Sequence, residues 1–431
     1  MLARVIGLSL PWWTVLPFVA LLAAIALGPL AAPGWWRRRH GWVSLGFGAP
    51  VCLYLLSRDA ASWGPAYLQT ARDYLSFLAL LFALFVISGG VLLRGHLAGT
   101  PAVNAALLGT GALLASLVGT TGASMLLLRP LLQANRRRIH RAHTVVFFIF
   151  LVSNAGGCLT PLGDPPLFLG YLRGVPFEWT FLLLKPWAFT CGTLLGIYLV
   201  LEALMFRREA PVSEASGLHD PLGLDGGINL LLLGGVVGAS VLAGRLRWPF
   251  GVQEALLLAL AGLSWKLTPK RLREANAFRF HPIVEVGVLF AGIFAAMVPA
   301  LALLEAAPQR WPELQPTQPW QYFWATGLLS SILDNAPTYL SFTALASGSL
   351  GVNPGHLGSL LALPAGPALL EAISLGAVFF GAMTYLGNGP NLLVKAVAEE
   401  AGVPMPSFLG YLAWSVTILV PVFLAVTWIF L

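Results

Sequence analysis

Charge is what this sequence has least of. Only 10% of its 431 residues are Asp, Glu, Lys or Arg, against roughly a quarter in soluble domains. Hydrophobic residues make up 57%, and mean hydropathy is +0.79. So little charge excludes an ordinary soluble fold and fits a polytopic membrane protein. Cysteine is nearly absent too. Cys52, Cys158 and Cys191 are scattered, odd in number and set in apolar stretches, which excludes a disulfide framework and a cysteine metal site. Neither His-Glu-x-x-His nor Gly-x-Ser-x-Gly occurs, and no second catalytic aspartate motif accompanies "LGDPP", so an intramembrane hydrolase is a remote alternative. There is no phosphate-binding loop or soluble domain for ATP-driven pumping. A secondary transporter, with no cofactor and no enzymatic activity, is what remains.

Apolar runs at about 13–31, 41–57, 74–94, 143–172, 180–206, 228–244, 250–266, 282–304, 368–395 and 407–431 have spanning length or nearly so. The first is followed by "WWRRRH", arginines after the run, and so reads as a retained span. Two further runs, about 100–134 and 320–348, carry polar, small-residue breaks and read as re-entrant hairpins with arms too short to span. The net charge of +7 sits in clusters between runs, as cytoplasmic loops do and nucleic-acid-binding faces do not. Placing Arg37, Arg38 and Arg39 in the cytoplasm puts Arg94, Arg136, Arg137, Arg138, Arg141, Arg207, Arg208, Lys266, Lys270, Arg271, Arg273 and Arg279 on the same side, with both termini outside. Arg58, Arg72, Arg173, Arg245 and Arg247 then fall outside, in shorter or more acidic loops. His140 and His143 are expected to face lipid headgroups.

The expected fold is an all-α polytopic membrane protein of two inverted-topology repeats, five spans each, each with a hairpin and a broken helix. The first repeat covers 1–206 (hairpin 100–134, broken helix 143–172), and the second 227–431 (hairpin 320–348, broken helix 368–395). A cytoplasmic linker at 207–226 joins them. An odd number of spans per half forces opposite insertion. The halves also echo each other: Thr160-Pro-Leu-Gly-Asp-Pro-Pro pairs with Thr384-Tyr-Leu-Gly-Asn-Gly-Pro. Paired interruptions of this kind point to a transporter's central site.

The chemistry lies at the breaks. Asp164-Pro-Pro166, Asn335-Ala-Pro337 and Asn388-Gly-Pro390 each place an N-cap residue before a first-turn proline, the signal that restarts a helix. A restarted helix turns its partial positive end to the midplane, and the helix it interrupts leaves free carbonyls there. Gly156, Gly157, Gly163, Gly387 and Gly389 are expected to permit the turns. Asp164 and Asp334 supply carboxylates. Ser153, Asn154, Thr160, Thr384, Asn388 and Asn391 in the broken helices, with Thr120, Thr121, Ser124, Asn335 and Thr338 at the hairpin tips, supply hard oxygens suited to sodium or lithium. The plainer alternative makes Asp164 and Asp334 helix caps only; ionisable residues at membrane depth are functional by default. Glu285 is a possible proton relay near the cytoplasmic end of its run.

"SNAGGCLTPLGDPP", "LDNAPT" and "GNGPN" resemble the ion transporter superfamily, which includes NhaD-type sodium/proton antiporters, arsenite permeases, citrate transporters and divalent-anion/sodium symporters. The resemblance extends over almost the whole chain. It implies a homodimer in the bacterial-type cytoplasmic membrane, in contact with lipid, with hairpins and broken helices moving as an elevator against a dimerising scaffold. The sodium/carboxylate symporters carry Ser-Asn-Thr at both hairpin tips; here the matching residues are Thr120-Thr121-Gly122 and Asp334-Asn335-Ala336. Two acids and no nearby Arg or Lys favour a small inorganic cation as substrate, sodium or lithium exchanged for protons. A sodium- or proton-coupled carrier of citrate or another carboxylate, including metal-citrate, is the alternative.

Overall fold

The structure is a computed structural model that describes residues 10–95, 97–209, 223–276 and 278–431. It is almost wholly helical. A 3-10 turn, Trp12–Val15, leads into α1 (Leu16–Ala31), α2 (Pro33–Arg58) and α3 (Ala60–Ser88). Helices α4 (Pro101–Val118) and α5 (Thr120–Ala134) are joined through Gly119 alone. Next come α6 (Ala142–Leu151), a 3-10 turn (Ala155–Leu159), α7 (Pro165–Leu172), a second 3-10 turn (Phe177–Leu183) and α8 (Leu184–Arg207). The remainder runs α9 (Ile228–Leu246), α10 (Val252–Leu267), α11 (Lys270–Ala275), α12 (His281–Arg310), α13 (Pro319–Ser330), α14 (Asn335–Leu350), α15 (Gly366–Phe380), α16 (Gly389–Glu400) and α17 (Phe408–Phe430).

Among the described residues nine helical stretches are long and apolar enough to cross a membrane, which identifies an integral membrane protein of the all-α polytopic class. The set differs from the ten runs read in the sequence. The stretch from Pro101 to Val118 qualifies because its break falls at Gly119, at the end of the first arm and not in its middle. The 250–266 run does not qualify, since α10 has only 16 residues. Nor does 41–57, a run of 17 residues bounded by His40 and Arg58 within α2. Arg37, Arg38 and Arg39 lie inside that helix and not in a loop before it. Pro33 occupies its first turn, and arginine is a good helix former, so nothing stops the helix until Asp59. Arg72 likewise sits within α3.

Most of the linker at 207–226 lies outside the described residues. Its end, Gly223–Asp225, forms a short strand antiparallel to Leu92–Arg94, with an Arg94–Asp225 ion pair at 2.5 Å. The core is densest around α6, buried from His143 through Leu151, and around α15. Both lead directly into chain breaks, so the breaks sit in the most enclosed part of the molecule, where non-helical backbone is tolerable.

Candidate functional site

Each interruption is held open by a threonine. Thr160 is extended (φ −139°, ψ 158°); its Oγ1 donates to the Ser116 carbonyl and accepts from the Leu162 N–H at 3.1 Å. Ser116 Oγ in turn donates to the Gly156 carbonyl and accepts from Leu159 N–H. In the second break Thr384 Oγ1 donates to the Ser331 carbonyl at 2.5 Å and accepts from Leu386 N–H at 3.0 Å. Each broken helix is thereby stitched to the preceding helix pair, α4–α5 or α13–α14. Backbone polar groups that no regular helix satisfies are paired side chain to main chain.

Close approach explains two of the glycines. A Cβ on Gly163 would stand 2.1 Å from the Gly157 carbonyl oxygen, and one on Gly387 would stand 2.7 Å from the oxygens of Gly381 and Ser330. Gly156 and Gly157 are similarly confined, against Ala112 and Thr120. Gly389 is different: nothing lies within 4 Å of its missing Cβ. It opens a helix and makes no close approach.

Asp164 precedes α7, yet its carboxylate does not cap that helix. It is turned inward and 1% exposed. Oδ1 accepts from Thr120 Oγ1 at 3.1 Å and Asn388 Nδ2 at 3.3 Å, and Oδ2 accepts from Asn335 Nδ2 at 2.5 Å. One carboxylate thus collects the first residue of α5, the first of α14 and the residue before α16. With α7 itself, four helix N-termini surround it, and their partial positive charges favour an anion there. Asn335 Oδ1 is buried with no hydrogen-bond partner. An acceptor left bare beside a carboxylate is the arrangement a cation completes.

Behind this carboxylate lies a layer of amides. Asn388 Nδ2 also donates to the Ser153 carbonyl at 3.0 Å and to Asn154 Oδ1 at 3.2 Å. Asn154 donates to Asn391 Oδ1 and the Ile149 carbonyl, both at 2.8 Å. Asn391 donates to the carbonyls of Gly381 and Thr384. Ser124 and Ser153 share a 2.9 Å hydrogen bond. Asp334, not Asn335, caps α14, accepting from Ala336 N–H at 3.1 Å, and Thr338 donates to its carbonyl. Sequence spacing misplaced this cap by one residue because both residues suit the position. The true arrangement frees Asn335 to reach Asp164.

A cavity of about 110 Å³ opens on this cluster, lined by Thr120, Thr121, Asp164, Asp334 and Asn388 on one side. Phe77, Leu84 and Phe85 of α3, with Ile283 and Phe290 of α12, form the other. No Lys or Arg lines it. Glu285 is not in its wall; it lies 3.7 Å from His281, its side chain 31% exposed.

Two charged clusters escaped the sequence reading. Glu202, fully buried in α8, meets Arg138 at 2.6 Å, His143 Nε2 at 2.5 Å and Asn104 at 2.9 Å, and Arg138 also pairs with Glu209. His143 is therefore a buried partner of Glu202 and not a headgroup-facing residue. Asp73 in α3 lies 3.4 Å from Arg173, at the end of α7, and accepts from Gln69. Asp73 stands just before the run 74–94, next to Arg72, and Glu202 lies inside the run 180–206 among apolar residues; neither has beside it the proline or glycine that marks a break. Their position at membrane depth was the available signal.

From residue 7 to residue 431 the sequence matches the family described as "Putative citrate transport". Over 300 residues, 65% of this chain, it is 27% identical to uncharacterized transporters of Mycobacterium bovis and Mycobacterium tuberculosis, and the match spans 66% of each relative's length. A match over nearly the entire chain places the protein in that citrate-transporter family, as a membrane transporter and not an enzyme.

Proposed function

We propose that the protein is a secondary carrier of a carboxylate of the citrate class, moved together with a cation at Asp164. The observation that carries this reading is the double character of the site. Four helix N-termini favour an anion, while Asp164 and the bare Asn335 Oδ1 favour a cation. A carboxylate and a cation, entering together or as a metal complex, satisfy both; a bare carboxylate would be repelled by Asp164. A proton on Asp164 would do the same electrostatic work, so proton and cation compete, and apparent cation affinity rises with pH until the acids are ionised.

A second reading, sodium or lithium exchanged for protons, is favoured by the cavity's size: about 110 Å³ without Lys or Arg suits an ion better than a tricarboxylate. Purified protein in liposomes separates the two. Tracer citrate uptake driven by a sodium, magnesium or proton gradient supports the first. Sodium- or lithium-driven proton movement with no citrate uptake supports the second and overturns the first.

The carrier framework proposed with this function is two oppositely inserted halves in a cytoplasmic membrane, both termini outside, with the pairs α4–α5 and α13–α14 as re-entrant hairpins. Support comes from the matching threonine stitches, Thr160 to Ser116 and Thr384 to Ser331. Hairpins and broken helices would move as one block past α3 and α12 in a homodimer. Crosslinking a hairpin to α3 should then stop transport, and normal transport by crosslinked protein would exclude the motion.

A further inference from the structure

A cavity of about 850 Å³ lies at the other end of α7, lined by Tyr171, Leu172, Gly174, the α9–α10 junction and the charged turn of α3 that holds Arg72 and Asp73. Helix α7 has eight residues, so this cavity stands roughly 12 Å along the helix from Asp164. The three acids in its wall are all engaged. Asp73 faces Arg173 and Gln69, Glu178 pairs with Arg245 at 2.6 Å, and Glu254 accepts from Ser76 and from the Gly251 N–H. Two of its arginines, Arg72 and Arg247, form no ion pair among the described residues. Arg72 stacks over Phe250 at 5.8 Å. Arg247 ends α9 in the left-handed region (φ 49°, ψ 53°), the only non-glycine residue described with positive φ.

Left-handed backbone at a helix C-terminus is the natural place for glycine, and an L side chain there is strained. Strain of this sort persists where the side chain has a use. Arg247 stands, exposed, in the lining of a wide cavity that also contains Arg72 and His356. Planar guanidinium groups match carboxylates in geometry as well as charge. The central cavity, with no cation in its wall, cannot perform that capture.

We propose that this cavity is a receiving site for a small di- or tricarboxylate, held by Arg72 and Arg247 before it reaches the Asp164 site. The inference rests on the carboxylate reading of the protein, so its test includes a measurement independent of transport. Leu361 lines the cavity. Leu361→Cys in a Cys52→Ser background reports the local field through its rates with anionic and cationic methanethiosulfonate reagents. The anionic reagent should react about 10-fold faster, a preference that Arg247→Gly and Arg72→Gln each reduce several-fold. Citrate should slow the reaction. Arg247→Gly suits the backbone and should fold, while raising the KM for citrate uptake about 10-fold at unchanged maximal rate. Equal rates with both reagents and no slowing by citrate would overturn the proposal, as would an unchanged KM in Arg247→Gly. Charge preference with citrate protection, in protein that moves no citrate, would support the cavity as an anion site and overturn the carboxylate-carrier reading.

Discussion

The two broken helices share a backbone and differ in the group that precedes the restarted helix, a carboxylate in one and an amide in the other. Asp164 (φ −143°, ψ 142°) and Asn388 (φ −150°, ψ 138°) precede their helices in nearly the same conformation, neither side chain caps, and each follows a threonine bonded to the helix pair before it. The Asn388 amide donates to the Asp164 carboxylate at 3.3 Å. Thr, Gly and Pro build the break, whereas the choice of oxygen or nitrogen at one side-chain atom decides its chemistry. The first break carries charge; the second supplies one of the three donors that hold it, with Thr120 and Asn335 supplying the others.

That comparison is broken most severely by Asp164→Asn. The backbone should survive, because Asn already occupies the equivalent position, while cation-coupled uptake in liposomes falls about 100-fold or more, the scale of losing a buried charge interaction. Exchanging the groups, Asp164→Asn with Asn388→Asp, returns a carboxylate within about a hydrogen-bond length of its old place. Uptake by this double variant should exceed that of Asp164→Asn alone; no recovery would show that the two breaks are not interchangeable. Thr160→Val and Thr384→Val should each cost about 1–3 kcal/mol of stability in detergent unfolding, since each leaves a buried carbonyl and N–H unpaired. Unequal losses would mean that one break is held by other contacts. The smallest effect is expected of Glu285→Gln, whose side chain pairs locally with His281. Loss of uptake in that variant with normal uptake in Asp164→Asn would move coupling to α12.

The breaks are legible in the sequence because glycines, prolines and an N-cap residue, Asp in one half and Asn in the other, fall together in the middle of an apolar run, and the repetition of that cluster marks both. The Asp164 partners belong to segments 44, 171 and 224 residues away, and only packing brings them together. The buried Glu202 cluster was hidden for another reason. Arg138 and His143 adjoin a basic loop, and charge patterning assigns a loop to a side of the membrane without saying which of its residues fold back to meet an acid in α8. The cap of α14 shows the limit at single-residue scale: Asp334 and Asn335 both suit an N-cap, and the one that does not cap completes the site.

The central claim is that the Asp164 carboxylate seats the cation that travels with the carboxylate substrate. Calorimetric titration of purified wild-type protein and Asp164→Asn with sodium and with magnesium, citrate present and ionic strength constant, tests it most directly. Wild type should bind one of the two cations, with affinity rising as pH rises, and Asp164→Asn should bind neither. Equal cation affinity in the two proteins, or no binding by either, would contradict the account.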